Sequence, residues 1–197
     1  MSFMTLRREF FERPVLKVAP DLLGKVLVRK YRGKEIRGMI TEVEAYDGPR
    51  DKASHASRGM TERNKIMFGE AGRFYVYFTY GMHWMLNVVT GDEGYPAAVL
   101  IRGIQSYEVG LRKIDGPGRV TKFLRIDKAL NGKLATTKNG LWFEDREIVV
   151  PELKIERTPR VGVQYAEEWA GRPYRFLLKD LMSDYCPRTC SMNHPTR

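Results

Sequence analysis

Apolar and polar residues alternate over much of this chain, and the alternation predicts strands in preference to helices. After a short segment opened by Pro20 and Asp21 and closed by Gly24, residues 26–31 and 35–46 read as two strands joined by a turn at Arg32 and Gly33. Residues 47–60 are rich in Asp, Gly, Pro and Ser and read as a loop. Thr61 is placed to cap a short helix running to Phe68. The densest β signal follows, FYVYFTYGMHWMLNVV over residues 74–89, with Gly81 at the turn of a hairpin. Residues 99–104 form a further strand, Ser106 is placed to cap a helix toward Lys113, and Val120, Phe123 and Leu124 share one helical face. A turn at Asn131-Gly132 leads to β character at 141–150, 154–163 and 174–178, after which the pattern fades. The expectation is an α+β fold: one domain over residues 1–197, strands dominant, short helices packed around them, and residues 181–197 a loose tail.

Composition adds a partner class. The chain has 197 residues, 34 of them Lys or Arg against 24 Asp or Glu, for a net charge of +10. Such an excess suits a polyanion, and nucleic acid is the commonest one. No run approaches the roughly 18 apolar residues of a membrane span. The opening MSFMTLRREFFERP contains Glu9 and Glu12 and lacks the apolar stretch of a secretory signal. An intracellular protein is expected, in cytoplasm or nucleoid if prokaryotic and in the nucleus if eukaryotic. Cys186 and Cys190 cannot build a disulfide framework; with His194 they have the spacing of a partial metal site that lacks a fourth ligand. Neither a metal nor an organic cofactor is expected.

Strict alternation through 35–46 puts Ile40, Glu42, Glu44 and Tyr46 on one face and Thr41, Val43 and Ala45 on the other. Two carboxylates beside an aromatic describe either a solvated strand face or a general base. A base that stays ionised at neutral pH needs a positive neighbour or hydrogen-bond donors. Arg102, set among Val99, Leu100, Ile101 and Ile104, needs a carboxylate in turn, and Glu44 is a candidate. In the hairpin, Tyr75, Tyr77 and Thr79 share a face opposite Val76, Phe78 and Tyr80. Tyr80 stands at the tip beside Gly81, Met82, His83 and Trp84. Core packing accounts for Val76 and Phe78. An apolar tip on a basic protein is a candidate wedge between base steps, and the tyrosine face a candidate stacking platform. Asn87 and His55 each read as an ordinary structural residue or as a contact to a base.

The blocks EVEAYDGPRDKASHASRG, TERNKIMF, YVYFTYGMHWMLNVV, AAVLIRG and RVGVQYAEEWAGRPYRFLL, in this order, resemble the alkyladenine (3-methyladenine) DNA glycosylase family from about residue 8 to 180. The resemblance implies a compact domain on a curved antiparallel sheet, with a protruding β-hairpin that enters the minor groove. It implies Glu44 as the catalytic base, with Arg102 and the backbone carbonyl of Val161 positioning its water. Tyr46, His55 and Tyr77 match the walls of the base pocket, and Asn87 the residue that crowds the 2-amino group of guanine. Tyr80 matches the residue that fills the gap left by a flipped nucleotide, with Met82 beside it in the groove. Position 83 departs from the pattern, with His where an aromatic is expected. The implied activity is release of alkylated or deaminated purines (3-methyladenine, 7-methylguanine, hypoxanthine) from double-stranded DNA by a monomeric enzyme that leaves an uncut abasic site. Lys52 and Lys65 are near enough in sequence to keep strand nicking open. Two other classes fit part of the pattern. A non-enzymatic nucleic-acid binder explains the charge and tyrosines but leaves a Glu44–Arg102 pair without purpose. A hydrolase of free nucleosides needs neither the basic surface nor Tyr80.

Overall fold

The computed structural model describes residues 3–107 and 111–179. The predicted tail, with Cys186, Cys190 and His194, lies outside them. Strands β1 (Met4–Thr5), β2 (Val26–Tyr31), β3 (Lys34–Asp47), β4 (Phe74–Thr79), β5 (His83–Thr90), β6 (Ala97–Ser106), β7 (Lys113–Asp115), β8 (Leu141–Asp145), β9 (Ile155–Thr158) and β10 (Arg175–Leu178) join in one antiparallel sheet. Its main path runs β1-β8-β2-β3-β6-β5-β4. Two antiparallel branches leave this path: β10 pairs β3 and carries β9, and β7 pairs β6. Helices are short: α1 (Arg8–Phe11), α2 (Val15–Leu22) and α3 (Pro117–Phe123). This is the α+β class that the patterning predicts.

The sheet is two-faced. Val43, Ala45, Val99, Ile101, Leu86, Val88 and Phe74 point into the main core, which α2 and α3 close with Val18, Leu22, Val120 and Leu124. The opposite face is covered only by loops, each with a small apolar cluster beneath it. Ala56 and Met67 pack on Tyr75, Val89 and Ala98. Ala53 packs with Val163 and Ala166 beside Tyr46 and Trp169. An opening left between those loops is what makes a site possible.

Several expectations need correction. The short segment expected to open at Pro20 and Asp21 is instead the end of helix α2, which starts at Val15 and buries Val15, Val18, Ala19 and Leu22 at helical spacing. Pro20 sits inside it, tolerated because the buried stripe holds the helix against the sheet. Ser106 caps no helix toward Lys113; it ends β6, and Lys113 begins β7, which pairs back on β6 at Gln105. The segment after Thr61 is a single 3₁₀ turn, Lys65–Phe68, with the Thr61 hydroxyl accepting from the Asn64 amide at 3.3 Å. Ile40 faces the core rather than Glu42, because pairing between β3 and β6 is irregular on either side of Glu42. The β signals at 141–150 and 154–163 also shrink, to Leu141–Asp145 and Ile155–Thr158. Glu147, at φ 59°, and Pro159 end the extended runs. Among the described residues no helix is long and apolar enough to cross a membrane.

Candidate active site

Antiparallel register sets Glu44, Leu100, Asn87 and Tyr75 side by side across β3, β6, β5 and β4. With strands about 4.8 Å apart, the acid and the amide stand roughly 10 Å from each other on one face. Above this row lies a cleft of about 290 Å³. Tyr46, His55, Tyr77, Asn87, Tyr80, Arg102 and Val161 are among its lining residues. Its size is at the lower end of small-ligand sites.

Glu44 is completely buried. Its Oε1 accepts from the Val161 amide at 2.7 Å, and its Oε2 from the Tyr46 hydroxyl at 3.0 Å. The Arg102 guanidinium lies 3.4 Å from Oε2, a loose contact, because its Nε is committed to Glu42 at 2.9 Å. Glu42 also accepts from Arg175 at 2.7 Å. The expected pairing of Arg102 is therefore shared, with Glu42 the nearer partner. Burial raises the Glu44 carboxyl above its ordinary value; Arg102, the Val161 amide and Tyr46 oppose the rise. The result is a carboxylate removed from water yet supplied with donors on both oxygens. The resemblance assigns a role to the carbonyl of Val161; the atom that touches Glu44 is its N–H.

The aromatic wall is polar at its back. His55 Nδ1 lies 3.0 Å from the Tyr75 hydroxyl, and its ring meets Tyr77 edge-on at 4.7 Å. Burial, and then Arg63, lower the imidazole pKa, so the ring is neutral at neutral pH. Burial pushes the Tyr75 phenol up to about 12. The Asn87 amide donates to the Tyr75 carbonyl at 3.0 Å, which fixes its orientation in the cleft wall. Tyr80 is 82% exposed and Met82 68% exposed at the hairpin tip. Tyr80 and Gly81 both have positive φ, 52° and 65°, as a tight turn matched to strand twist requires. Met82 stands outside the cleft lining, and His83 packs on Gly118 at the start of α3.

Several residues at this site escaped the sequence reading. Tyr165, 68% exposed, lines the cleft from just beyond the segment 154–163 that reads as β, and only its place in the RVGVQYAEEW block marks it. Tyr75 is a tyrosine of the predicted platform whose hydroxyl is committed to His55. Arg160 and Asp51 form a fully buried ion pair behind the wall, across 109 residues of chain, and no local pattern reveals it. Lys52 is tied to Glu167 and Glu168 and Lys65 to Glu62, and no lysine lines the cleft among the described residues.

Residues 9–182 match the model of the methylpurine-DNA glycosylase family. A protein of Methanocella arvoryzae named "Putative 3-methyladenine DNA glycosylase" is 46% identical, over 89% of this chain and 92% of its own length. Relatives of the same name from Legionella pneumophila (strain Corby) and Myxococcus xanthus are 44% and 43% identical, over 89% of this chain and 94% and 90% of their own lengths.

Proposed function

This chain belongs to the methylpurine-DNA glycosylase family, and from that premise we propose that it flips alkylated or deaminated purines out of duplex DNA and hydrolyses their bond to the sugar with a water activated by Glu44. It is a DNA glycosylase of the 3-methyladenine type acting in repair, as its family membership implies. The observation that carries the finer reading is the buried Glu44 carboxylate, held by three donors beside an aromatic cleft.

As an N-glycosidic bond breaks, positive charge develops on the sugar. An anion held beneath the anomeric carbon opposes that charge and accepts a proton from the attacking water. General-base assistance contributes about 10²–10⁴-fold, and electrostatic preorganisation the larger remainder. Tyr46 and Tyr77 offer ring faces to the extruded purine, and His55 a neutral ring nitrogen to its edge. A purine alkylated at a ring nitrogen is cationic, so it leaves readily and stacks well on tyrosine. Flipping costs a few kcal/mol, less for a mispaired base, and Tyr80 offsets part of it by filling the gap. Asn87 crowds the 2-amino group of a normal guanine. On this reading the product is an abasic site in an unbroken strand and the enzyme acts as a monomer; in support of the first, no lysine lines the cleft among the described residues.

The test is release of 3-methyladenine and hypoxanthine from duplex DNA and from free nucleosides, with the DNA strand analysed before and after alkali. Release from duplex only, with nicking only after alkali, is the expected result. Release from free nucleosides at a comparable rate, or tight lesion binding without release, would overturn the reading in favour of a nucleoside hydrolase or a simple binding module.

A further inference from the structure

Behind the cleft, and lining none of it, Arg160 and Asp51 are both completely buried. The guanidinium grips Asp51 with both terminal nitrogens, Nη2 reaching Oδ1 at 2.8 Å. It also donates to the backbone carbonyls of Ala45 at 2.9 Å and Trp169 at 3.3 Å. Its carbon lies 4.8 Å from the centre of the Tyr46 ring. Asp51 in turn accepts from the amides of Asp47 and Ala53, each at 3.0 Å, and so shapes the loop that leads to His55.

Exchanging a buried ion pair for apolar residues of similar size is often neutral or stabilising, so stability alone is a weak reason for it. Arg160 Nε is also buried with no hydrogen-bond partner among the described residues. The location of the pair is more informative. Arg160 precedes Val161, whose amide holds Glu44 Oε1; Ala45 lies between Glu44 and Tyr46; and Asp51 starts the turn that carries His55.

We propose that the Arg160–Asp51 pair is a positioning device that holds the Val161 amide on Glu44 and the Tyr46 ring against the cleft. The proposal rests on Glu44 acting as the base. Loss of the fork lets the 160–163 backbone drift, and Glu44 then loses the N–H that favours its ionised form. The groups facing Glu44 are Arg102 from β6, Glu42 and Tyr46 from its own strand, Tyr77 from β4, Tyr165 from the segment after Val163 and Arg160 itself; of these, Arg102, Glu42 and Tyr77 do not touch the fork and stay in place. Arg175 of β10 acts through Glu42.

The experiment is single-turnover base release and lesion-duplex affinity, from acid to neutral pH, for Arg160→Lys and Asp51→Asn. The first keeps the charge without the fork; the second keeps the shape without the charge. The release rate is expected to fall roughly 10²-fold while affinity changes only a few-fold, because small misplacement costs chemistry before binding. In Arg160→Lys, which keeps the charge, the acid limb of the pH–rate profile moves to higher pH. A rate that falls only in step with affinity or with the folded fraction, with the limb unmoved, would overturn the proposal. Loss of the fold in both variants would overturn it too, marking the pair as a stability element. Glu44→Gln measured alongside separates the two levels: retained release there removes the parent reading, whereas its loss with an unmoved limb in Arg160→Lys removes only the positioning role.

Discussion

At Glu44, complete burial and three donors pull in opposite directions, and its ionisation is what pH and mutation should move. Its pKa in the fold lies above the unfolded value, so the folded chain holds an extra proton between the two, and stability falls as pH rises through that window. At neutral pH the ionised carboxylate therefore costs stability. Glu44→Gln is expected to lower single-turnover release by at least about 10²-fold. Lesion binding persists, and the melting temperature at neutral pH is equal to or above that of the parent, an advantage that shrinks on acidification. Rate should decline on the acid side with a midpoint above the ordinary carboxylate range. A clear drop in melting temperature at neutral pH, or an acid limb at the ordinary value, would contradict this account. Tyr80 behaves differently, because it is exposed and supports no core. Tyr80→Ala should leave melting unchanged and weaken lesion-duplex binding roughly ten- to hundredfold, the scale of one stacked aromatic. Fluorescence anisotropy on a lesion duplex checks it. The sequence singled out both residues, because one stands in a recognisable block and the other at a turn where exposed apolar groups need a reason.

Elements carry these residues to their places, and the hairpin shows how. Strands β4 and β5 project beyond the neighbouring sheet contacts, and α3 supports them from the core side. The Thr121 hydroxyl donates to the Trp84 carbonyl at 2.9 Å, Phe78 packs on Trp84 with ring centres 4.8 Å apart, and His83 lies over Gly118. A Cβ at Gly118 would come within 2.8 Å of His83 Cγ. Alanine in a helix ordinarily improves on glycine by about 0.5–1 kcal/mol. Gly118→Ala is expected to reverse that sign and lower the melting temperature, and adding His83→Ala should restore it. Additive effects in this double-mutant cycle would show that the two residues do not press on each other. Strand existence was legible here because alternation is local. Helix α2 was hidden by Pro20, whose lost hydrogen bond is outweighed by the buried stripe Val15, Val18, Ala19 and Leu22. In place of a helix opened by Ser106, β6 extends to Ser106 between β3 and β7, and Lys113 already belongs to β7.

For the whole molecule, a net charge of +10 makes DNA affinity a function of salt. Each phosphate neutralised by Lys or Arg releases condensed counterions, so about six such contacts cost roughly 10³-fold in affinity between about 50 and 200 mM salt. Undamaged duplex and lesion duplex should share this slope, because phosphate contacts carry no sequence or lesion information. Filter binding of both duplexes across a salt series measures it; a flat response would remove the electrostatic contribution to recognition. On the proposed reading lesion selection falls to the cleft, whose walls come from β3, β4, β5 and β6 and from segments far apart in the chain.

The order of residues by itself determined the strand-rich class, the hairpin with its exposed tip, the basic surface and the blocks that hold Glu44, Arg102, Tyr77 and Asn87. Those properties are local, set by side-chain period, turn chemistry and summed charge. Only the tertiary structure decided that Glu42 is the nearer partner of Arg102, that Ile40 turns inward at a pairing irregularity, and that Asp51 meets Arg160. Those outcomes depend on register between strands and on burial, and both arise when segments separated by tens of residues exclude water together.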